Sequence, residues 1–248
     1  MRDVRVRRHQ RSVNGGPRRR SSREYTRRDP SPGSEEVREA ARAYMRSIGR
    51  ELPPAQPRAK PDPATLRRIA LAYQDLESRP DDPEVLAAYN ALADETFAQW
   101  EFLKHVVRVE FVDFDPYQSP AGGPSSALMF QDIRDNRHLY VYTGGSEHPV
   151  MSRIIHPETG ETANNVFRAV HDLMGHAKEG NSFSESGEYN AYLDHRVMYS
   201  PLARRALATE TLAQNAYYNR IPQNEGRPAS ERTFAPQRAA ILPEELIL

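Results

Sequence analysis

The sequence contains no cysteine, and this absence limits the chemistry open to the protein. Without thiols the chain forms no disulfide, supplies no thiolate ligand and has no cysteine nucleophile. A metal site must therefore be built from histidine, aspartate and glutamate. Such nitrogen and oxygen donors suit iron, manganese or zinc.

Long apolar runs are also missing from the sequence. No run approaches the roughly 20 residues that span a bilayer, and no segment has the apolar core of a signal peptide. We therefore expect a cytoplasmic protein with no membrane partner. The glycine-rich loops GxGxxG and GxxxxGKS are absent as well. Because no alternation of strands and helices is apparent either, a nucleotide-binding sheet is not predicted.

The formal net charge of zero hides an uneven distribution. Residues 1–30 contain eleven arginines and three acidic residues, whereas the rest of the chain carries an excess of acids. Because apolar residues are few here and glycine and proline interrupt the segment, we predict a disordered basic arm over residues 1–33. Such an arm can bind nucleic acid or an acidic partner through its charge. The alternatives are a solvated tail and a mis-assigned start codon.

Helical periodicity dominates the remaining chain. Apolar residues recur at helical spacing, often behind a residue that can cap a helix. The predicted helices are 34–48, 64–77, 83–105, 127–135, 162–175, 183–198 and 201–219. Two shorter segments, 106–114 and 138–143, alternate apolar and polar residues and are predicted to be strands.

These elements predict a mainly α fold of the α+β class. We expect a single helical domain with a few short antiparallel strands and a metal site between the C-terminal helices. Residues 34–51 are predicted to be a helical extension, and residues 52–63, which contain several prolines, a linker. Residues 64–248 form the predicted metal-binding catalytic domain.

The motif HDLMGH places His171 and His176 five residues apart. On a regular helix this spacing separates them by roughly 140° around the axis. The zinc peptidases use a spacing of four with a glutamate after the first histidine, so Asp172 and the longer spacing disfavour that chemistry. The two histidines can still chelate one metal if the helix loosens near Gly175 or forms a π-bulge, a feature that often marks functional sites.

A carboxylate is needed to complete a 2-His-1-carboxylate face for iron(II). Glu210 is the favoured third ligand because it lies among small and apolar residues, and a buried carboxylate requires a partner. Glu188 is the alternative. Glu188 and His195 are seven residues apart and share a helix face, so they could line the site or orient its ligands. No Glu-x-x-His pair indicates a di-iron centre, so one metal is favoured.

The motif HDLMGH resembles the HExxGH iron motif of the pterin-dependent aromatic amino acid hydroxylases. As in that family, Ser182-Phe183 and Glu188 follow the motif, and Glu210 stands at the distance of a further glutamate. The resemblance covers about 45 of the 248 residues. It implies that His171, His176 and Glu210 bind iron(II), and that Asp172 replaces a glutamate near a tetrahydropterin cofactor. Asn164–Arg168 stands where the family has a Pro-Glu-Pro-Asp run.

Three functions follow from these observations. The first is a mononuclear non-haem iron(II) monooxygenase that hydroxylates an aromatic or amino-acid-like small molecule with dioxygen. Its metal ligands would be His171, His176 and Glu210, and Asp172, Glu188 and His195 would be catalytic residues. The second is a zinc- or manganese-dependent hydrolase at the same residues. The third is a non-enzymatic protein that acts through its basic arm.

Overall fold

The computed structural model describes residues 33–120, 123–228 and 231–247. Apart from Gly33, the predicted basic arm lies outside these residues. The helices and strands of the described residues are α1 (Glu35–Ser47), α2 (Pro63–Asp75), α3 (Pro83–Leu103), β1 (Arg108–Val112), α4 (Ser126–Asn136), β2 (His138–Tyr142), α5 (Ala163–His171), α6 (Glu185–Arg196), α7 (Pro201–Leu207) and α8 (Gln214–Arg220). The prediction of a mainly helical single domain is confirmed.

Side-chain caps define where these helices begin. In each case a short polar side chain before the helix accepts a hydrogen bond from a backbone N–H in the first turn, which is typically worth about 1 kcal/mol. The capping residues are Ser34, Asp62, Asp82, Ser125, Thr162, Ser184 and Ser200. Proline at the first helical position of α2, α3 and α7 adds a φ angle that already suits a helix.

The two strands pair in parallel, which corrects the prediction of antiparallel strands. β1 and β2 align in register from Arg108 opposite His138 to Val112 opposite Tyr142. The cause is α4, which connects the two strands. The helix carries the chain back to the end of the sheet where β1 begins, so β2 can run in the same direction, as a parallel pair requires. The described part of the chain therefore contains a strand–helix–strand unit, which the sequence pattern did not predict. Its sheet has two strands.

The buried apolar residues form two clusters, and α3 contributes to both. One cluster joins α2, α3, α7 and α8, and the other joins α1, α4, α5 and the strands to the end of α3. Helix α5 lies between them, with Phe167 in the first cluster and Val170 in the second. Packing on both sides therefore fixes the helix that leads into the HDLMGH motif.

The predicted helical extension is packed against the body of the protein. Val37, Ala41 and Tyr44 of α1 are buried, and the backbone N–H of Ser34 donates to the carbonyl of Ala177 at 2.8 Å. The following proline-rich segment is also anchored, because the backbone N–H of Ala59 donates to Asn190 Oδ1 at 2.8 Å. Among the described residues, no helix combines the length and apolarity that crossing a membrane requires.

Candidate metal centre

Two π-helical segments interrupt the C-terminal helices. Asp172–Ala177 continues α5, and Ala208–Ala213 joins α7 to α8. In the first segment the N–H of Lys178 donates to the carbonyl of Leu173 at 2.8 Å, the i to i+5 bond of a π-helix. Residues five apart therefore share a face. This geometry confirms the expectation that the backbone departs from a regular α-helix around Gly175.

The π-helical segment brings His171 and His176 together. Their ring centroids are 5.0 Å apart and the rings are nearly perpendicular, at 85°. His176 is 1% exposed and His171 is 9% exposed. The five-residue spacing that would separate the two rings on an α-helix thus places them side by side here.

Gly175 is required by the position of the His171 ring. A Cβ atom at this residue would lie 2.9 Å from both Nδ1 and Cε1 of His171, and 3.3 Å from the carbonyl oxygen of Ala191. Contacts below 3.0 Å are essentially not tolerated, so any side chain here would displace the imidazole or the backbone. Glycine therefore allows the ring to lie against its own helix.

Glu188 supplies a carboxylate close to both histidines. Its Oε2 atom lies 3.3 Å from His176 Nε2. One donor atom from each of His171, His176 and Glu188 lies within 4.8 Å of the others, so this trio could hold a metal ion. The side chain of Glu188 is 23% exposed. The cluster is therefore enclosed on the histidine side and open to solvent at the carboxylate.

The hydrogen bonds of His176 determine which of its nitrogen atoms faces Glu188. Nδ1 lies 2.9 Å from the carbonyl oxygen of Asn181, which can only accept, so Nδ1 carries a proton. Asn181 is itself held, because its Nδ2 donates to the Gly175 carbonyl and to Asp194, each at 2.8 Å. Burial lowers the pKa of His176, but the charge of Glu188 and the hydrogen bond to it outweigh burial and raise it to about 9.

His195 contacts the cluster through His171. The Nδ1 atoms of these two residues are 3.0 Å apart, and His195 Nε2 lies 3.0 Å from Gln99 Oε1. Burial lowers the pKa of both imidazoles well below the usual value, and the neighbouring histidines add to the effect at His171. Both rings are therefore neutral at pH 7. Gln99, which the sequence analysis did not identify, is fully buried on α3.

Asp172 is the carboxyl group next to this trio. Burial raises its pKa, the charge of Glu188 adds to this effect and His176 and Arg168 oppose it, and the resulting pKa is about 7. Arg168 is held by its Nη1 atom, which donates to the carbonyls of Tyr142 and Gly144 at 2.8 and 2.9 Å. The Asp172 carboxyl group can therefore hold or release a proton near neutral pH.

Glu210, the predicted third ligand, lies in a different cluster. Tyr89 Oη donates to its Oε1 at 2.6 Å, His148 Nε2 approaches the same atom at 3.2 Å, and Gln214 Nε2 donates to its Oε2 at 2.6 Å. The side chain is 4% exposed, so the prediction that it is buried was correct. Its partners are hydrogen-bond donors, which satisfy a buried carboxylate as a metal would. Glu188, the alternative third ligand, is the carboxylate whose oxygen lies within 4.8 Å of a donor atom of each of the two histidines.

His148 is oriented so that its Nε2–H group donates a hydrogen bond to Glu210. Its Nδ1 accepts from the backbone N–H groups of Val150 and Met151 at 3.1 and 3.0 Å, so the proton is on Nε2 and points at the carboxylate. Tyr89 is 121 positions from Glu210 and His148 is 62 positions from it. No spacing in the sequence links residues so far apart. The burial of Glu210 was the one signal that its partners existed.

Comparisons with models of protein families, with curated proteins and with solved structures found no match. The resemblance to the pterin-dependent hydroxylases therefore rests on the HDLMGH motif and the residues that follow it, and the pterin, the aromatic substrate and the oxygenase activity stay predictions. A carboxylate and two histidines that could hold a metal are the part of the predicted site that the fold brings together.

Proposed function

We propose that this protein is a metal-dependent enzyme, and that its centre is a mononuclear iron(II) site formed by His171, His176 and Glu188. The reaction class we favour is hydroxylation of a small molecule with dioxygen. The observation that carries the proposal is the approach of one donor atom from each of these three residues to within 4.8 Å of the others. Two imidazoles and a carboxylate with free coordination positions are the donor set of non-haem iron(II) oxygenases.

The residues around the trio fit a metal. The Nδ1–H group of His176 donates to the Asn181 carbonyl, which fixes the ring with its Nε2 atom directed at Glu188. Ligating histidines usually donate their second nitrogen to a carbonyl or a carboxylate in this way. Because the chain has no cysteine, no thiolate competes for the site. Each feature favours a hard or borderline ion such as iron(II), manganese(II) or zinc(II).

The chain's own residues have separate tasks in this proposal. Bound iron(II) would supply the activation of dioxygen. The buried rings of His171 and His176 exclude water from one side, while the partly exposed Glu188 leaves an approach for a substrate. Asp172 can hold a proton beside the trio and release it during the reaction. The basic Arg168 guanidinium, fixed by two backbone carbonyls, stabilises the ionised form of Asp172.

Metal content and oxygen consumption test the proposal. Anaerobically purified protein should contain about one iron per chain after loading with iron(II), and should consume dioxygen when a reductant is present. His171→Ala should bind no stoichiometric iron. The matched control is His105→Ala, because His105 is exposed and is not part of the trio. Equal iron binding by the two variants would rule out the proposed centre.

A hydrolase is the second candidate function, and the position of Asp172 favours it. A carboxyl group next to a metal site can act as the general base for a metal-bound water. Zinc or manganese would then occupy the same trio. Hydrolysis of ester or phosphoester probes by zinc-loaded protein, without dioxygen consumption by the iron-loaded form, would favour this candidate over the oxygenase.

A further inference from the structure

Gln99 begins a chain of hydrogen bonds that ends at a proposed metal ligand. Its Oε1 lies 3.0 Å from His195 Nε2, and His195 Nδ1 lies 3.0 Å from His171 Nδ1. Gln99 and His195 are fully buried. The chain thereby links α3, α6 and α5, and it reaches His171 on the nitrogen that a metal bound at Nε2 would not use.

The hydrogen bonds assign a proton to each imidazole. An amide oxygen can only accept, so His195 Nε2 must carry a proton. His195 is buried, and no carboxylate of the described residues hydrogen-bonds either ring nitrogen, so the ring is neutral and its Nδ1 is an acceptor. His171 Nδ1 must then be the donor in the bond between the rings. The Nε2 atom of His171 is left without a proton and is free to bind a metal.

The orientation of the Gln99 amide decides this arrangement. Its Oε1 atom, and not its Nε2 atom, is the one placed 3.0 Å from His195 Nε2. No described residue meets normal hydrogen-bond geometry with Gln99 Nε2. The reversed amide would move both imidazole protons and place one on His171 Nε2.

We propose that Gln99 is a positioning residue that, through His195, keeps the proton of His171 on Nδ1 and so leaves Nε2 available to a metal. The inference rests on the proposed metal centre, but it makes a claim about the metal-free protein as well. Groups that orient ligating histidines typically contribute a factor of about 10–100 to metal affinity. Carboxylates, carbonyls and water fill this role most often, whereas a second histidine oriented by glutamine fills it here.

Nuclear magnetic resonance of the metal-free, full-length protein tests the proton assignment directly. Two-bond nitrogen–proton correlations of protein labelled with ¹⁵N-histidine distinguish the two neutral forms of each ring. We expect His171 protonated on Nδ1 and His195 protonated on Nε2. A proton on Nε2 of His171 would overturn the proposal. Because the measurement uses the wild-type protein, the test does not depend on the folding of a variant.

Metal affinity provides the second test. Gln99→Met keeps the shape of the side chain and removes the acceptor, so cobalt(II) titrated against a competing chelator should bind at least about tenfold more weakly. Gln214→Met is the matched control, because Gln214 donates to Glu210 and lies outside the trio. Unchanged affinity of the Gln99 variant would contradict the proposal. If wild-type protein binds no cobalt(II), the metal centre itself is wrong, and the proton assignment alone then decides the role of Gln99.

Discussion

His176 Nε2 and Glu188 Oε2 are 3.3 Å apart, with the imidazole almost wholly buried and the carboxylate partly exposed. In the metal-free protein this pair is a salt bridge, since the carboxylate raises the pKa of His176 to about 9 despite the opposing effect of burial. A metal would bind to the same two atoms. Proton and metal therefore compete for His176.

This competition predicts that metal binding depends on pH. At neutral pH about one proton should leave His176 for each metal bound, so affinity should rise about tenfold per pH unit up to about pH 9. Calorimetric titration with cobalt(II) in buffers of different ionisation enthalpy counts the protons released. Glu188→Gln should lower the pKa of His176 and flatten the dependence. An affinity that is constant between about pH 6 and pH 8 would contradict the prediction.

Glu188 and Glu210 should respond differently to loss of charge. Glu188→Gln replaces a charged ligand atom by a neutral amide and should weaken cobalt(II) binding at least about tenfold; at neutral pH it should also remove the stability that the raised pKa of His176 contributes. Glu210→Gln should leave metal affinity unchanged. It should instead cost about 1–3 kcal/mol in the free energy of unfolding, because its bonds from Tyr89 and His148 are buried.

Chelator competition and urea unfolding measure these two effects on the same pair of variants. Each variant serves as the control for the other, since both replace a glutamate by its amide. Loss of metal binding in Glu210→Gln, with Glu188→Gln unaffected, would instead support the ligand set of His171, His176 and Glu210 that the resemblance to the hydroxylases implied.

Local sequence patterns predicted the elements well because local forces determine them. The caps at Ser34, Asp82 and Thr162, and the glycine in HDLMGH, each act within one turn of helix. The pairing of strands and the partner of Glu210 depend on contacts between distant segments. The parallel sheet follows from the path of α4, and the bond between Tyr89 and Glu210 from packing of α3 against the last helices. Neither leaves a periodic signal in the sequence.

Gly175→Ala should disturb the site through His171. The added methyl group would lie 2.9 Å from the His171 ring, and such overpacking typically costs about 1–3 kcal/mol, partly offset by the better helix propensity of alanine. Unfolding in urea should show the loss, and cobalt(II) affinity should fall with it. In a His171→Ala background the contact with the ring is absent and only the 3.3 Å approach to the Ala191 carbonyl remains, so Gly175→Ala should then cost less. Equal costs in the two backgrounds would show that the ring is not the cause.

Asp172 should make the metal-free protein less stable as the pH rises from about 4 to about 7. Burial raises its pKa from 3.8 to about 7, so the folded state retains a proton that the unfolded state has already released. Stability therefore falls as pH rises through this window, by at most about 1.4 kcal/mol per pH unit, and is constant with respect to this group above it.

Asp172→Asn isolates this contribution. Because asparagine does not titrate, the variant should lose stability less steeply than the wild type between about pH 4.5 and pH 6.5, in urea unfolding with a chelator present. His176 does not interfere in this range, since its raised pKa contributes stability that is fully present below 6.5 and is lost only as the pH rises towards 9. Parallel stability curves for the two proteins would show that the Asp172 carboxyl is ionised throughout, and so cannot hold the proton that the proposed reaction assigns to it.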